Sequence, residues 1–590
     1  MKKIGILTVL VVTVVFILLS TPNSFAQVSP TVTFSSYFGG QSTIGGFGYD
    51  TIRDVYIDNS GNIYITGGTD SNSGFPITAG SYDTAFNSDS CPTIGTAGAL
   101  DIFVAKLTST GQLIWSTYLG GPCYDRAYAI EVDETTGEVY VAGRAGDSFP
   151  TTAGVIQPNF NNDSNPNTLY GQQDGIIAKI SADGSQLLWA TYFGGGDRSF
   201  IRDMDIDTAG NVYVVETNVS QNNPHITAGA FDDTLTPIVD GGVIAKINSA
   251  ATAVDWATYF GGGGVGTYDL GTPSIRVDNL GNVYATGQTS SSNVPSTGGF
   301  DTTLNGTTDM HLVKFSGTGN FLWGTYIGGD QGDGTETHGL ALDPSGNPIV
   351  AATTLSTDLN TSSPYSTVFN SGFQSSYGGT GGPATGANSN YPGDGFIVKV
   401  SSAGNQLLAG TYLGGSVGEG IEGVYTDTLG NVYVSGVTYS SNFPTSIDGY
   451  DLSLNGNADY FGVKLNDTLN QLIYGTYVGG LNQDFARTSM FNNNLFVIGG
   501  EIQSDQASSP PWPLVNALDS TYAGNTEAAL VIVDFSGVST TPPPTSTPTT
   551  APTITNFYSL PGDGRMDYFG ALNSGCGLTQ WDTAHSSLTG

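Results

Sequence analysis

Short runs of alternating apolar and polar residues, separated by loops rich in Gly, Asn and Ser, fill most of this chain. Long runs of Ala, Leu, Glu, Lys and Arg, which long helices need, are missing. The segment Val55-Tyr56-Ile57-Asp58-Asn59-Ser60-Gly61-Asn62-Ile63-Tyr64-Ile65-Thr66-Gly67 shows the pattern. Two strand-like stretches flank a polar loop, with a glycine where the turn needs positive φ. Two further stretches follow, Asp101 to Leu107 and Leu113 to Tyr118, joined through Ser109-Thr110-Gly111. The pattern therefore predicts a unit of four strands, a to d, at about Ile52–Asp58, Asn62–Gly67, Asp101–Leu107 and Leu113–Tyr118.

The unit repeats. A Tyr-x-Gly-Gly block begins at Tyr37, Tyr118, Tyr192, Tyr259, Tyr326, Tyr412 and Tyr477, with spacings of 65 to 86 residues. Two other blocks keep step. One contains Gly210-Asn211-Val212-Tyr213 and its relatives, and the other starts near Asp101, Asp174, Asp240, Asp309, Asp394 and Asp459. Four-stranded units repeated radially make a β-propeller, so the fold class expected is all-β, a seven-bladed propeller of four-stranded blades. A β-helix is the lesser alternative, because its coils are much shorter. The chain supplies a d strand first, at Val32 to Tyr37, and ends its last unit without one. Closure is therefore expected by pairing both ends in one blade.

The three blocks together, Val-Asp-x-x-Gly-Asn-Val-Tyr-Val-x-Gly, Asp-x-Phe-Val-x-Lys and Trp-x-Thr-Tyr-x-Gly-Gly, resemble the SBBP repeat, a bacterial seven-bladed propeller repeat. The resemblance spans roughly residues 31 to 538. It implies a secreted or cell-surface propeller and assigns no catalytic residue.

Charge and the chain ends narrow the class. Lys2 and Lys3, the apolar run from Ile4 to Leu19 and Ser24-Phe25-Ala26 read as a secretory signal peptide over residues 1–26. An uncleaved anchor is the alternative. No later run is long enough to span a bilayer. The propeller is expected over 27–539, a Pro/Thr linker over 540–556, and a partial, truncated C-terminal domain over 557–590. The formal net charge of -35 makes nucleic acid and anionic membranes poor partners. An extracellular protein or a glycan remains, bound by a monomeric propeller.

Several residue types recur in register. Trp115, Trp189, Trp256 and Trp323 read as packing between blades. Lys106, Lys179, Lys246, Lys314, Lys399 and Lys464 are expected to pair with the acids ending strand a, from Asp58 to Asp427. A second acidic set, Asp50, Asp125, Asp197, Asp269, Asp333, Glu419 and Asp484, follows the Gly-Gly blocks. As a ring at the channel mouth it could hold a cation such as calcium; the alternative is a set of loop caps. No cofactor motif is present, and His225, His311, His338 and His585 are scattered. Cys91 and Cys123 are expected to form a disulfide, since both fall on loops of one face in an oxidising compartment. The b–c loop of the fifth unit carries Tyr365, Phe369, Phe373, Tyr377 and Tyr391, aromatics suited either to ligand stacking or to covering the rim. The function expected is a non-enzymatic binding scaffold for a protein or glycan, using the face of the b–c and d–a loops. The alternative is a secreted glycan lyase or hydrolase, which non-repeating acids, histidines or tyrosines clustered in one funnel would favour.

Overall fold

The repeat blocks fold as seven four-stranded antiparallel sheets, one of them with its first strand in two pieces. The computed structural model describes residues 29–42, 48–87, 91, 100–161, 170–196, 198–218, 223–234, 241–262, 274–334, 338–379 and 393–537. Cys576, Tyr391, Asp197, Asp269, the signal segment and the C-terminal tail lie outside these residues. Among the described residues, no helix is long and apolar enough to cross a membrane.

Blade 1 contains Asp50–Ile57, Ile63–Thr69, Asp101–Leu107 and Leu113–Leu119 as strands a to d. In blades 2 to 6, strand a is Arg126–Val132, Ser199–Ile206, Ser274–Val277, the pair Asp333–Gly334 and Leu340–Leu342, and Glu419–Thr426. Blade 7 takes Asp484–Asn492, Leu495–Ile502 and Glu527–Asp534 from the end of the chain. Its fourth strand is Thr31–Tyr37, paired antiparallel with Glu527–Asp534. Each a strand touches the a strands on either side, and blade 7 touches both blade 6 and blade 1. The chain is a closed seven-bladed β-propeller with the a strands innermost.

The recurring residues hold this frame. The repeat tyrosine is a buried pin: Tyr118, Tyr192, Tyr326, Tyr412 and Tyr477 each donate a hydroxyl hydrogen bond, at 2.7–3.0 Å, to the backbone carbonyl where the b–c loop leaves its strand. The tryptophans pack between blades. Trp115 Nε1 donates to Ala182 O of blade 2 at 3.0 Å, and Gly184 of that blade lies so close that a Cβ there would strike the indole. Apolar clusters accordingly mix two blades, as with Ile102, Val104 and Trp115 against Ala127, Ile130 and Val139.

The lysines face the turn end. Lys246, Lys314, Lys399 and Lys464 reach Asp207, Asp278, Asp343 and Asp427 at 3.3–3.7 Å. Lys179 departs from the expectation and pairs with Glu138. Lys106 lies 4.8 Å above the ring of Tyr64, the strand-b residue between strands a and c.

Candidate functional site at the channel mouth

Five inner strands carry a β-bulge at the same place. The ladder skips one residue between Ile52 and Asp54, Ala127 and Ala129, Ile201 and Asp203, Ile421 and Gly423, and Ala486 and Thr488. The skipped residues are Arg53, Tyr128, Arg202, Glu422 and Arg487. A bulge sets two residues against one and re-aims a side chain out of the normal alternation. Here it presents an arginine on blades 1, 3 and 7, a tyrosine on blade 2 and a glutamate on blade 6, each preceded by Ile or Ala.

These groups meet. The ring of Tyr128 lies under four guanidiniums: Arg202 at 4.9 Å, Arg126 at 5.2 Å, Arg53 at 5.3 Å and Arg144 at 5.5 Å from its centroid. Arg144 also lies 4.1 Å from the Tyr170 ring and 5.0 Å from Tyr124. The two phenol rings pack 5.0 Å apart. Arg126 continues toward Tyr49, whose hydroxyl donates to Glu501 at 2.6 Å. Arg487 Nη2 reaches the same Glu501 at 2.8 Å, and its Nη1 lies 3.5 Å from Glu422. A belt of charge thus runs from blade 6 through blade 7 and blade 1 to blade 3.

Arg126, Arg144, Arg53 and Tyr128 are buried, whereas Tyr49, Tyr170, Arg198 and Arg202 keep partial contact with solvent. Arg126 and Arg144 have no carboxylate partner among the described residues, and the Nε of each is buried without a hydrogen bond. Burying cations without acids is costly. Burial works to raise the Tyr128 phenol, but the guanidiniums of Arg126, Arg144, Arg202 and Arg53 overcome it and pull the pKa down to about 7. Desolvation pushes the neighbouring Tyr170 upward instead.

Further along the channel the sign changes. Arg276 Nη1 contacts Asp203 at 2.8 Å, and Asp54 and Asp203 flank His338 at 3.8 Å on either ring nitrogen. These acids also brace blades: Asp54 accepts from Ile130 N and Asp203 from Ile275 N, both in the next blade. His338, one of four scattered histidines in the sequence, belongs to this network.

The five described members of the acidic set do not open onto the mouth. Asp50, Asp125, Asp333, Glu419 and Asp484 are each fully buried at a separate junction. Asp50 accepts from Gly40 N, Asp125 from Gly121 N, Asp333 from Gly329 N and Asp484 from Gly480 N, at 2.6–3.1 Å. Each thus caps the second glycine of a Tyr-x-Gly-Gly block, as the loop-cap alternative expects. In blade 3 the matching register is filled by Ser199, opposite Asn218 as Asp50 is opposite Thr69. A second buried acid from strand c faces several caps across the first glycine. Glu527 faces Asp50, Asp101 faces Asp125, Asp309 faces Asp333 and Asp394 faces Glu419. Among the described residues no three metal-ligating side chains gather.

The fifth-blade aromatics turn inward. Tyr365 and Phe369 are fully buried, and Phe369 packs edge-on against Tyr412 at 5.0 Å. Tyr365 donates to Asp301 at 3.1 Å and accepts from Gly328 N at 3.0 Å. Tyr377 packs against Tyr412, and Phe373 packs on the core between blades 5 and 6. Tyr365, Phe369 and Tyr377 join the apolar cluster between blades 4 and 5, so all four side chains pack on their own rim. Cys91 and Cys123 are joined, with their Cα atoms 4.6 Å apart. The bond holds the segment that begins with Tyr124.

No protein-family model matches the chain, and no curated protein matches it. Solved structures do. An ulvan lyase of a new polysaccharide lyase family, solved with a bound saccharide, is 11% identical over 80% of this chain and 92% of its own, with a TM-score of 0.40. A protein of unknown function from Dyadobacter fermentans is 12% identical over 69% of this chain and 93% of its own, with a TM-score of 0.34. The quinohemoprotein alcohol dehydrogenase of Comamonas testosteroni is 9% identical over 89% and 79%, with a TM-score of 0.34. These likenesses concern the fold alone.

Proposed function

We propose that this is a secreted or cell-surface propeller of the SBBP repeat type that binds an acidic glycan at the channel mouth. The observation that carries the reading is the buried pair Arg126 and Arg144, which lacks a carboxylate partner among the described residues. A guanidinium is a planar fork matched to carboxylate and sulfate oxygens. Tyr170, packed on the buried Tyr124 and partly open to solvent, offers a flat face of the kind that stacks on sugar rings. The placement is selective. All seven arginines among the described residues lie on strands a or b or just before strand a, while the six lysines lie on strand c. A strongly acidic protein has thereby concentrated cations in its channel.

The test is a binding series with the full chain on immobilised polyuronates, sulfated glycans and neutral glycans. Binding to the acidic members, weakened by added salt and by the double substitution R126A/R144A, is the expected result. Equal binding to neutral glycans, or an unaffected double variant, overturns the reading. The enzymatic alternative is favoured by one observation: at the bulge position that carries Arg53, Arg202 and Arg487, blade 2 places the phenol of Tyr128 among guanidiniums and blade 6 places Glu422.

A further inference from the structure

The channel mouth holds more than an anion needs. Binding a carboxylate takes one or two guanidiniums, yet here four surround a single phenol that a bulge aims among them. We propose that the site is a uronate lyase centre, in which Tyr128 is the base of a β-elimination and Arg126 with Arg144 neutralises the uronate carboxylate. The proposal rests on the acidic-glycan reading above and carries it from binding to turnover.

The chemistry follows from the arrangement. The carbon–hydrogen bond beside a uronate carboxylate is weakly acidic, because the carbanion is stabilised only when the carboxylate charge is offset. Two buried cations lacking an acid partner among the described residues meet that need in a water-poor site. The base must be ionised at working pH and close to the same cations. Tyr128 has Arg126, Arg144, Arg202 and Arg53 around it, with the phenols of Tyr124 and Tyr170 beyond Arg144. The guanidiniums hold its pKa near about 7, whereas the channel tyrosines Tyr56, Tyr170 and Tyr425 are pushed upward.

The step balances with these groups alone. The Tyr128 phenolate takes the proton from the carbon bearing the carboxylate. The electron pair left behind forms a carbon–carbon double bond to the neighbouring ring carbon, and the glycosidic carbon–oxygen bond at that carbon breaks. The proton on the Tyr128 Oη passes to the departing oxygen. One product carries an unsaturated uronate end, the other a new hydroxyl, and the phenolate is restored. No water, oxidant or reductant is consumed.

Three measurements test this with the full chain: binding, formation of the ultraviolet-absorbing unsaturated uronate, and the pH profile of kcat/KM. Polyuronates are expected to yield unsaturated product, and the same polymers with their carboxylates reduced to alcohols are not. Y128F is expected to keep glycan binding and lose roughly 10²- to 10⁴-fold in kcat, the range for a lost general base. Should Y128F fail to fold by its melting curve, the wild-type profile decides: a limb rising through about pH 7 supports the phenolate, and a flat profile overturns it. Binding without unsaturated product from any polyuronate overturns the lyase and leaves the binding reading intact. Absence of acidic-glycan binding overturns both. Product formation by a folded Y128F at the wild-type rate removes Tyr128 from the role.

Discussion

Arg126 and Arg144 stand opposite each other across the first two strands of blade 2, and the Tyr124 hydroxyl accepts from both, at 3.3 and 3.4 Å. A single phenol oxygen is thus shared by two buried cations. Natural sites often keep such arrangements at the expense of stability.

Replacing both arginines with methionine tests that trade. Methionine retains the length of the stem and removes the charge. The variant is expected to melt at or above the wild-type temperature and to bind acidic glycans at least ~10-fold more weakly, one hydrogen-bonded charge contact being worth about 1.5–3 kcal/mol. Calorimetry and a binding titration on the same preparation check both halves.

The disulfide has a role beyond anchoring a loop. Cys123 directly precedes Tyr124, so the bond to Cys91 fixes the start of the segment that supplies the shared acceptor. The double variant C91A/C123A is expected to lose about 2–4 kcal/mol of stability, the usual range for a native bond. It is also expected to bind acidic glycans more weakly at temperatures where it is still folded. Denaturant unfolding and binding, each with and without reductant, check this.

Stability is expected to fall as pH rises from acidic to alkaline. Burial, with the facing acid adding to it, raises Asp309 and Glu527 to about 8. Burial likewise raises Asp50, Asp333 and Glu419 to about 7. A carboxyl whose folded pKa exceeds its unfolded value favours the fold fully below the unfolded value, near 4, and loses that contribution as pH rises through the folded value. The window therefore runs from about pH 4 to about pH 8. Melting temperatures across it should decline, and D309N, which mimics the protonated form, should flatten the decline.

Phe369 separates rim from site. F369A is expected to cost about 3–5 kcal/mol as a large-to-small core change, with acidic-glycan affinity unchanged. A loss of affinity in a folded F369A would return the fifth-blade loop to the binding surface.

The frame was readable in the sequence because sameness reveals it. Tyr118 and Tyr477 do one job, so they recur at one spacing. The first and last strands could be paired by counting, since Val32 to Tyr37 was the one strand left without a blade. The site was hidden for the opposite reason. Tyr128 and Glu422 depart from the Arg53, Arg202 and Arg487 of the same register, and a search for repeats discards what departs. A signal did exist. Three residues after Asp50, Asp125, Glu419 and Asp484, directly behind an Ile or Ala in a strand, the chain places Arg, Tyr, Glu and Arg. The fifth-blade aromatics left two readings open because an aromatic-rich loop looks the same whether it faces outward or folds onto its own rim.

The pairing of Thr31 with Asp534 sets an order of events. The first strand to be made is the last to find its partner. At ~5–20 residues per second, the ~500 residues between them take on the order of 25–100 s to synthesise. Over that interval Thr31–Tyr37 is a strand without a sheet, and blade 7 has no edge to offer it. Closing so long a loop is slow, and the waiting strand can pair with the open edge of another molecule at the same stage. Two chains that exchange first strands in this way satisfy every backbone bond of the ring, so the clasp that makes one propeller is also a route to interlocked pairs.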